Sequence, residues 1–132
     1  PFVALKNLVC YASKSDAEEQ KMSVNKQFRS VFSNWDKEVF RNIHHEDFLF
    51  IRETELLTLD DHVENIDRLV TTTDFAKVQN SNAVLIHENE YVSEVRWRDG
   101  EDIVTAVVLL KNGKAWRQIA NRVSAKESVA VL

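Results

Sequence analysis

The chain has 132 residues, of which 44% are hydrophobic and 29% charged, which suits one domain with its own core and a well-solvated surface. Two glycines and one proline exclude disordered linkers and low-complexity tracts. A net charge of -4 opposes nucleic acid as a general partner, because phosphate binding needs a basic face.

The N-terminal stretch Phe2–Ala12 is apolar in places, but Lys6 and Asn7 interrupt it and no small-residue cleavage site stands out, so it does not read as a signal peptide. No apolar run approaches the ~20 residues of a membrane span. Cys10 is the single cysteine and cannot form an internal disulfide; it reads as a buried, inert thiol. A cytoplasmic protein with no membrane partner is expected.

Ser15-Asp16-Ala17-Glu18 has the form of a capping box. Behind it Val24, Phe28, Val31, Phe32 and Trp35 recur at helical spacing, which predicts one long amphipathic helix over Asp16–Asn34. Asp36 caps a short second helix with Val39, Phe40 and Ile43 on one face, and His44-His45-Glu46 is its exit. Phe48–Ile51 reads as a strand. Thr58-Leu59-Asp60-Asp61 opens a third helix with the stripe Leu59, Val63, Ile66, Leu69 and Val70, which Thr71-Thr72-Thr73-Asp74 ends.

From Phe75 the pattern is β. Phe75–Gln79 and Ala83–His87 read as one long strand broken or bulged at Asn80-Ser81-Asn82. Tyr91–Trp97 follows, with Glu94, Arg96 and Arg98 alternating against Val95 and Trp97 as on a strand with one wet face. Ile103–Leu110 and Ala115–Val123 form a hairpin about Lys111-Asn112-Gly113-Lys114. Both alternating sets of Ile103–Leu110 are apolar, so both faces of this sheet should be covered, one by the helices and the other most simply by a second subunit. The tail Ser124–Leu132 is either a short extra strand or a loose end.

His44 and His45 are adjacent and point about 100° apart on a helix, so they do not share a metal ion, and His87-Glu88 shows no zinc spacing. No metal site is expected. The three tryptophans read first as core or interface anchors.

The order helix, short helix, strand, helix and bent antiparallel sheet resembles the nuclear transport factor 2-like superfamily. Within it the chain is most similar to the ketosteroid-isomerase-like and SnoaL-like group. The residues that carry the resemblance are Phe28-x-x-Val31-Phe32-x-x-Trp35-Asp36, then His45-Glu46-Asp47-Phe48, then Val104–Leu110 with Lys111-Asn112-Gly113-Lys114-Ala115-Trp116-Arg117. It covers Asp16–Ser124 within a single domain spanning the 132 residues. It implies an α+β fold of three N-terminal helices on a curved antiparallel sheet, a cone with a pocket at its open end and a homodimer through the outer sheet face.

The family's steroid isomerases use a carboxylate base on the first strand with a helix-1 tyrosine and a protonated aspartate on a late strand. The resemblance places Arg52, Phe28 and Thr105 at those positions, and none can play the role. A one-residue slip would bring Glu53 to the base position but turn it to the other face. The same resemblance directs Trp116, Gln118, Ala120 and Arg122 inward from the last strand, Ile103, Thr105, Val107 and Leu109 from the preceding one, and Arg52 from the first. A pocket so lined suits a small ligand bearing an anion, because arginine presents a planar fork of donors. The alternative is that Arg52 and Arg122 pair with carboxylates such as Glu53 or Glu55, or reach out to the rim.

Two functional readings follow. The first is a small-molecule-binding protein with a conical pocket, extending to a cofactor-free isomerase, cyclase or hydratase-like enzyme on a small acidic, polyketide-like or steroid-like ligand, with His44 or Glu53 moving the proton. The second is a non-catalytic dimerisation or protein-binding module whose pocket is closed by Trp116, Phe28 and aliphatic side chains.

Overall fold

The computed structural model describes residues 22–124 and residue 126. The Ser15–Glu18 capping box, Cys10 and the tail from residue 127 lie outside the described residues.

Helix α1 spans Val24–Ser33 and starts where the Ser23 hydroxyl accepts the Lys26 N–H, so the described helix begins later than the sequence pattern suggests. Helix α2, Lys37–Asn42, is capped by the Asp36 carboxylate, which accepts from the N–H groups of Glu38 and Val39. The chain then enters strand β1, His44–Arg52, so His44 and His45 belong to a strand rather than to a helix exit. A tight turn leads to β2, Glu55–Thr58, and directly into α3, Leu59–Thr72, whose first turn carries Asp60 and Asp61 where the helix dipole favours negative charge.

Phe75–Asn82 is a fourth helix, α4, and not the first half of a strand. Here Phe75, Val78 and Gln79 fall on one helical face that lines the same cavity as α1. The Asn80 amide donates to the Arg29 carbonyl and the Ser33 hydroxyl of α1 at 2.9 and 2.7 Å. Tertiary contacts thus override a local β pattern.

Strands β3 (Val84–Glu88), β4 (Val92–Asp99), β5 (Asp102–Lys111) and β6 (Lys114–Ser124) complete one curved, unclosed six-stranded sheet in the order β2-β1-β6-β5-β4-β3. All neighbours are antiparallel except β1 and β6, which run parallel. The β5–β6 turn places Asn112 and Gly113 at φ 54° and 76°, the doubly left-handed geometry that suits the right-handed twist of a hairpin.

The helices pack on the concave face of the sheet. Val31, Phe40, Ile43, Val63 and Ile66 form one buried cluster among the helices, and Phe48, Phe50, Val108, Ala115 and Ala120 form another on the sheet. Phe28 and Leu59 touch both. On the sheet the facing pair Ala106 and Ala120 carries nothing beyond Cβ, and both line an open cavity.

Candidate functional site

The strand register orders the concave face in rows. The innermost row crosses four strands as Phe50, Gln118, Val108 and Ser93. The next is Arg52, Ala120, Ala106 and Val95, and the outermost is Arg122, Val104 and Trp97. All eleven side chains line a cavity of about 450 Å³ that α1, α3 and α4 roof over, a volume in the range of small-molecule sites. The two facing alanines of the middle row make the space. Phe28, Phe32, Phe40, Phe50, Phe75 and Trp97 supply aromatic walls.

One face of β5 differs from expectation. Val104, Ala106 and Val108 point into the cavity, whereas Thr105 lies on the outer face opposite Asn121, where its hydroxyl accepts from Arg96 at 3.4 Å. The cause is a bulge: Leu110 pairs with Ala115 but Leu109 pairs with Arg117, so Trp116 has no partner on β5. An unbroken two-residue hairpin would set Val107 opposite Gln118; the extra residue sets Val108 there and reverses every side chain of β5. Trp116 itself does not line the cavity. It packs against Lys111 and Arg117, whose charged groups lie 5.6 and 4.1 Å from its ring centroid. The tryptophan of the cavity is Trp97.

Phe28, Gln118, Arg52 and Arg122 do line the cavity, as the resemblance implied. Both arginines stand at its exposed mouth and are paired. Arg122 donates to Asp99 at 2.8 Å and to Asp102 at 3.0 Å, and Arg52 donates to Glu55 at 3.0 Å. Asp99 and Asp102 hold the Arg122 guanidinium still more firmly protonated than usual. Glu53 occupies the exposed β1–β2 turn at φ 54° and does not line the cavity, so it cannot serve there as a base. The carboxylates among the lining residues are Asp74 and Asp99, both exposed.

His44 is buried behind the cavity rather than in it. Its Nδ1 donates to the Phe40 carbonyl at 2.7 Å, and burial pushes its pKa down to about 4. The histidine that lines the cavity is His62, from α3. It is 2% exposed, stacks on Phe50 at 4.7 Å between centroids, and burial pushes it down to about 3. Its signal was present in the sequence, since position 62 lies three after Leu59 and four before Ile66, inside the apolar stripe of the helix. Gln79 of α4 is a second polar lining residue that the sequence pattern, read as a strand, concealed.

Among the described residues no group of three or more His, Cys, Asp or Glu side chains is placed to hold a metal ion, and no helix is long and apolar enough to cross a membrane.

The sequence matches no family profile and no curated protein. Solved structures are similar in fold. A protein of unknown function described as NTF-2 like, from Burkholderia xenovorans LB400, is 11% identical over 87% of this chain and 95% of its own, with a TM-score of 0.53. A provisionally assigned ketosteroid isomerase from Kribbella flavida DSM 17836 is 13% identical over 81% of this chain and 80% of its own, with a TM-score of 0.51. A de novo designed protein with a curved β-sheet is 13% identical over 82% of this chain and 88% of its own, with a TM-score of 0.52. The fold is thus the nuclear transport factor 2-like one, and the fold by itself assigns no activity.

Proposed function

We propose that the chain is a small-molecule-binding protein whose conical cavity takes an uncharged, largely apolar ligand. The observation that carries this is the open 450 Å³ space between the two core clusters, walled by aromatic rings and floored by alanines, which packing would otherwise fill. The arginine pairs at the mouth argue for a neutral rather than an acidic ligand, since Glu55, Asp99 and Asp102 already neutralise the two guanidinium charges. Carboxylate-base isomerisation finds no support, because the lining carboxylates are exposed at the rim and both buried histidines are poor proton acceptors.

The test is titration with N-phenyl-1-naphthylamine, a neutral probe that fluoresces in apolar sites. Saturable binding with one site per chain is expected, and Ala106→Phe, which fills the floor of the cavity, should weaken it at least tenfold. Equal binding by this variant, or none by either protein, would overturn the reading.

A second copy of the chain is the partner that the sheet supports. On its convex face Leu56, Ile51, Ile119 and Val107 form a continuous apolar row across β2, β1, β6 and β5, with Leu56 and Ile119 61% and 45% exposed. The row accounts for the two-sided apolarity of β5. Light scattering at 50–100 µM (about the range where a weak dimer forms) should give a dimer for the wild type and a monomer for Ile119→Lys. A monomeric wild type refutes the assignment.

A further inference from the structure

Helix α4 brings a buried, unpaired carboxamide to the cavity wall. Gln79 is 9% exposed, and its side chain forms no hydrogen bond with the described residues. Phe75, one turn earlier on the same helical face, and Val78 line the cavity with it. Several other polar side chains of the wall are already engaged. Ser93 donates to Glu88 at 2.7 Å, Asn80 donates to α1, and Arg52 and Arg122 hold carboxylates. Asn25 and Gln118 are only half-buried. The polar atoms of Gln79 are not sealed inside the protein in the way that His44 Nε2 and His62 Nδ1 are. Its NH₂ and its carbonyl oxygen are therefore open to the space that α4 roofs.

We infer that Gln79 is the polar anchor of the cavity and that it selects a flat, neutral ligand with an amide edge, an N–H beside a C=O, as in a lactam or a cyclic imide. A carboxamide presents one donor group and one acceptor side by side in a plane. A wholly apolar ligand would strip water from both and leave both unpaired, which costs more than the pairing itself returns. A carboxylate or a lactone offers acceptors alone, so the Gln79 carbonyl oxygen would face a second lone pair. An amide edge satisfies both groups at once, whichever way the carboxamide is turned. Phe75, set edge-on to Phe32 at 5.8 Å between centroids, supplies aromatic wall one turn from Gln79, which favours a planar ring system. The inference rests on the cavity being a ligand site, as proposed above.

Two neutral probes of the same shape test it: 2-quinolone, which carries N–H beside C=O, and coumarin, in which a ring oxygen replaces the N–H. Each is titrated by calorimetry against the wild type and against Gln79→Met, which keeps the length of the side chain and removes its polar atoms. The ratio of the two Kd values should favour 2-quinolone in the wild type and shift about tenfold toward coumarin in the variant, the size of one buried hydrogen bond. An unchanged ratio overturns the anchor and leaves the cavity reading standing. So does failure of both bicycles to bind a wild type that still binds N-phenyl-1-naphthylamine. Failure of all three probes overturns the cavity reading and the anchor with it. Proton–nitrogen correlation spectra of the wild type give a readout that needs no variant. The side-chain NH₂ signals of Gln79 should move downfield on saturation with 2-quinolone, and unmoved signals at saturation would overturn the inference.

Discussion

Acidification should destabilise this protein through His44 and His62. Both imidazoles are held neutral by burial, with pKa values of about 4 and about 3 against an ordinary 6.5. The unfolded chain therefore binds two protons that the folded chain refuses. The contribution is fully present above pH 6.5 and is lost as pH falls from there toward 4, with stability rising with pH throughout that window. Between pH 8 and pH 5 each histidine removes roughly 2 kcal/mol, about 4 kcal/mol for the pair, because at pH 5 the unfolded imidazole is almost wholly protonated and the folded one almost wholly not. This is a large share of the 5–15 kcal/mol typical of a small domain. Urea unfolding at pH 8, 7, 6 and 5, followed by tryptophan fluorescence, reads it directly. The variant His62→Phe should show about half the pH dependence of the wild type, with nearly two protons taken up per unfolding event reduced to nearly one. An identical slope in the two proteins would show that His62 is not held neutral by its surroundings.

Two further outcomes are expected. Gly113→Ala should cost about 1 kcal/mol of stability in urea unfolding, purely through the left-handed backbone at φ 76°, since a methyl there meets no atom within 4 Å; a neutral substitution would mean that the turn relaxes freely. Arg122→Ala should change the affinity for a neutral apolar probe less than threefold, because the guanidinium is committed to Asp99 and Asp102 at an exposed rim. A tenfold loss in that titration would restore Arg122 as a ligand contact.

The features legible in the sequence are those fixed by local periodicity or by the chemistry of a few consecutive residues. The stripe Phe28, Val31, Phe32 places α1, Asp36 caps α2, Leu59 to Val70 defines α3, and Asn112-Gly113 turns the last hairpin. The two-sided apolarity of β5 was visible too, as was the pairing of Arg52 with Glu55 as one of two alternatives. Tertiary structure decided the rest. Phe75–Asn82 carries alternating residues suited to a strand, yet its contacts with α1 make it a helix. His44 follows a helical pattern in sequence, but α2 ends at Asn42 and β1 carries the ring into the core, leaving His62 to face the cavity. Thr105 and Trp116 left the cavity because one unpaired residue at Trp116 reversed the faces of β5. The physical reason is the same in each case. A helix stripe repeats within one segment, whereas the face a strand residue occupies depends on its register with another strand, and a single-residue shift between strands inverts it with almost no trace in the local sequence.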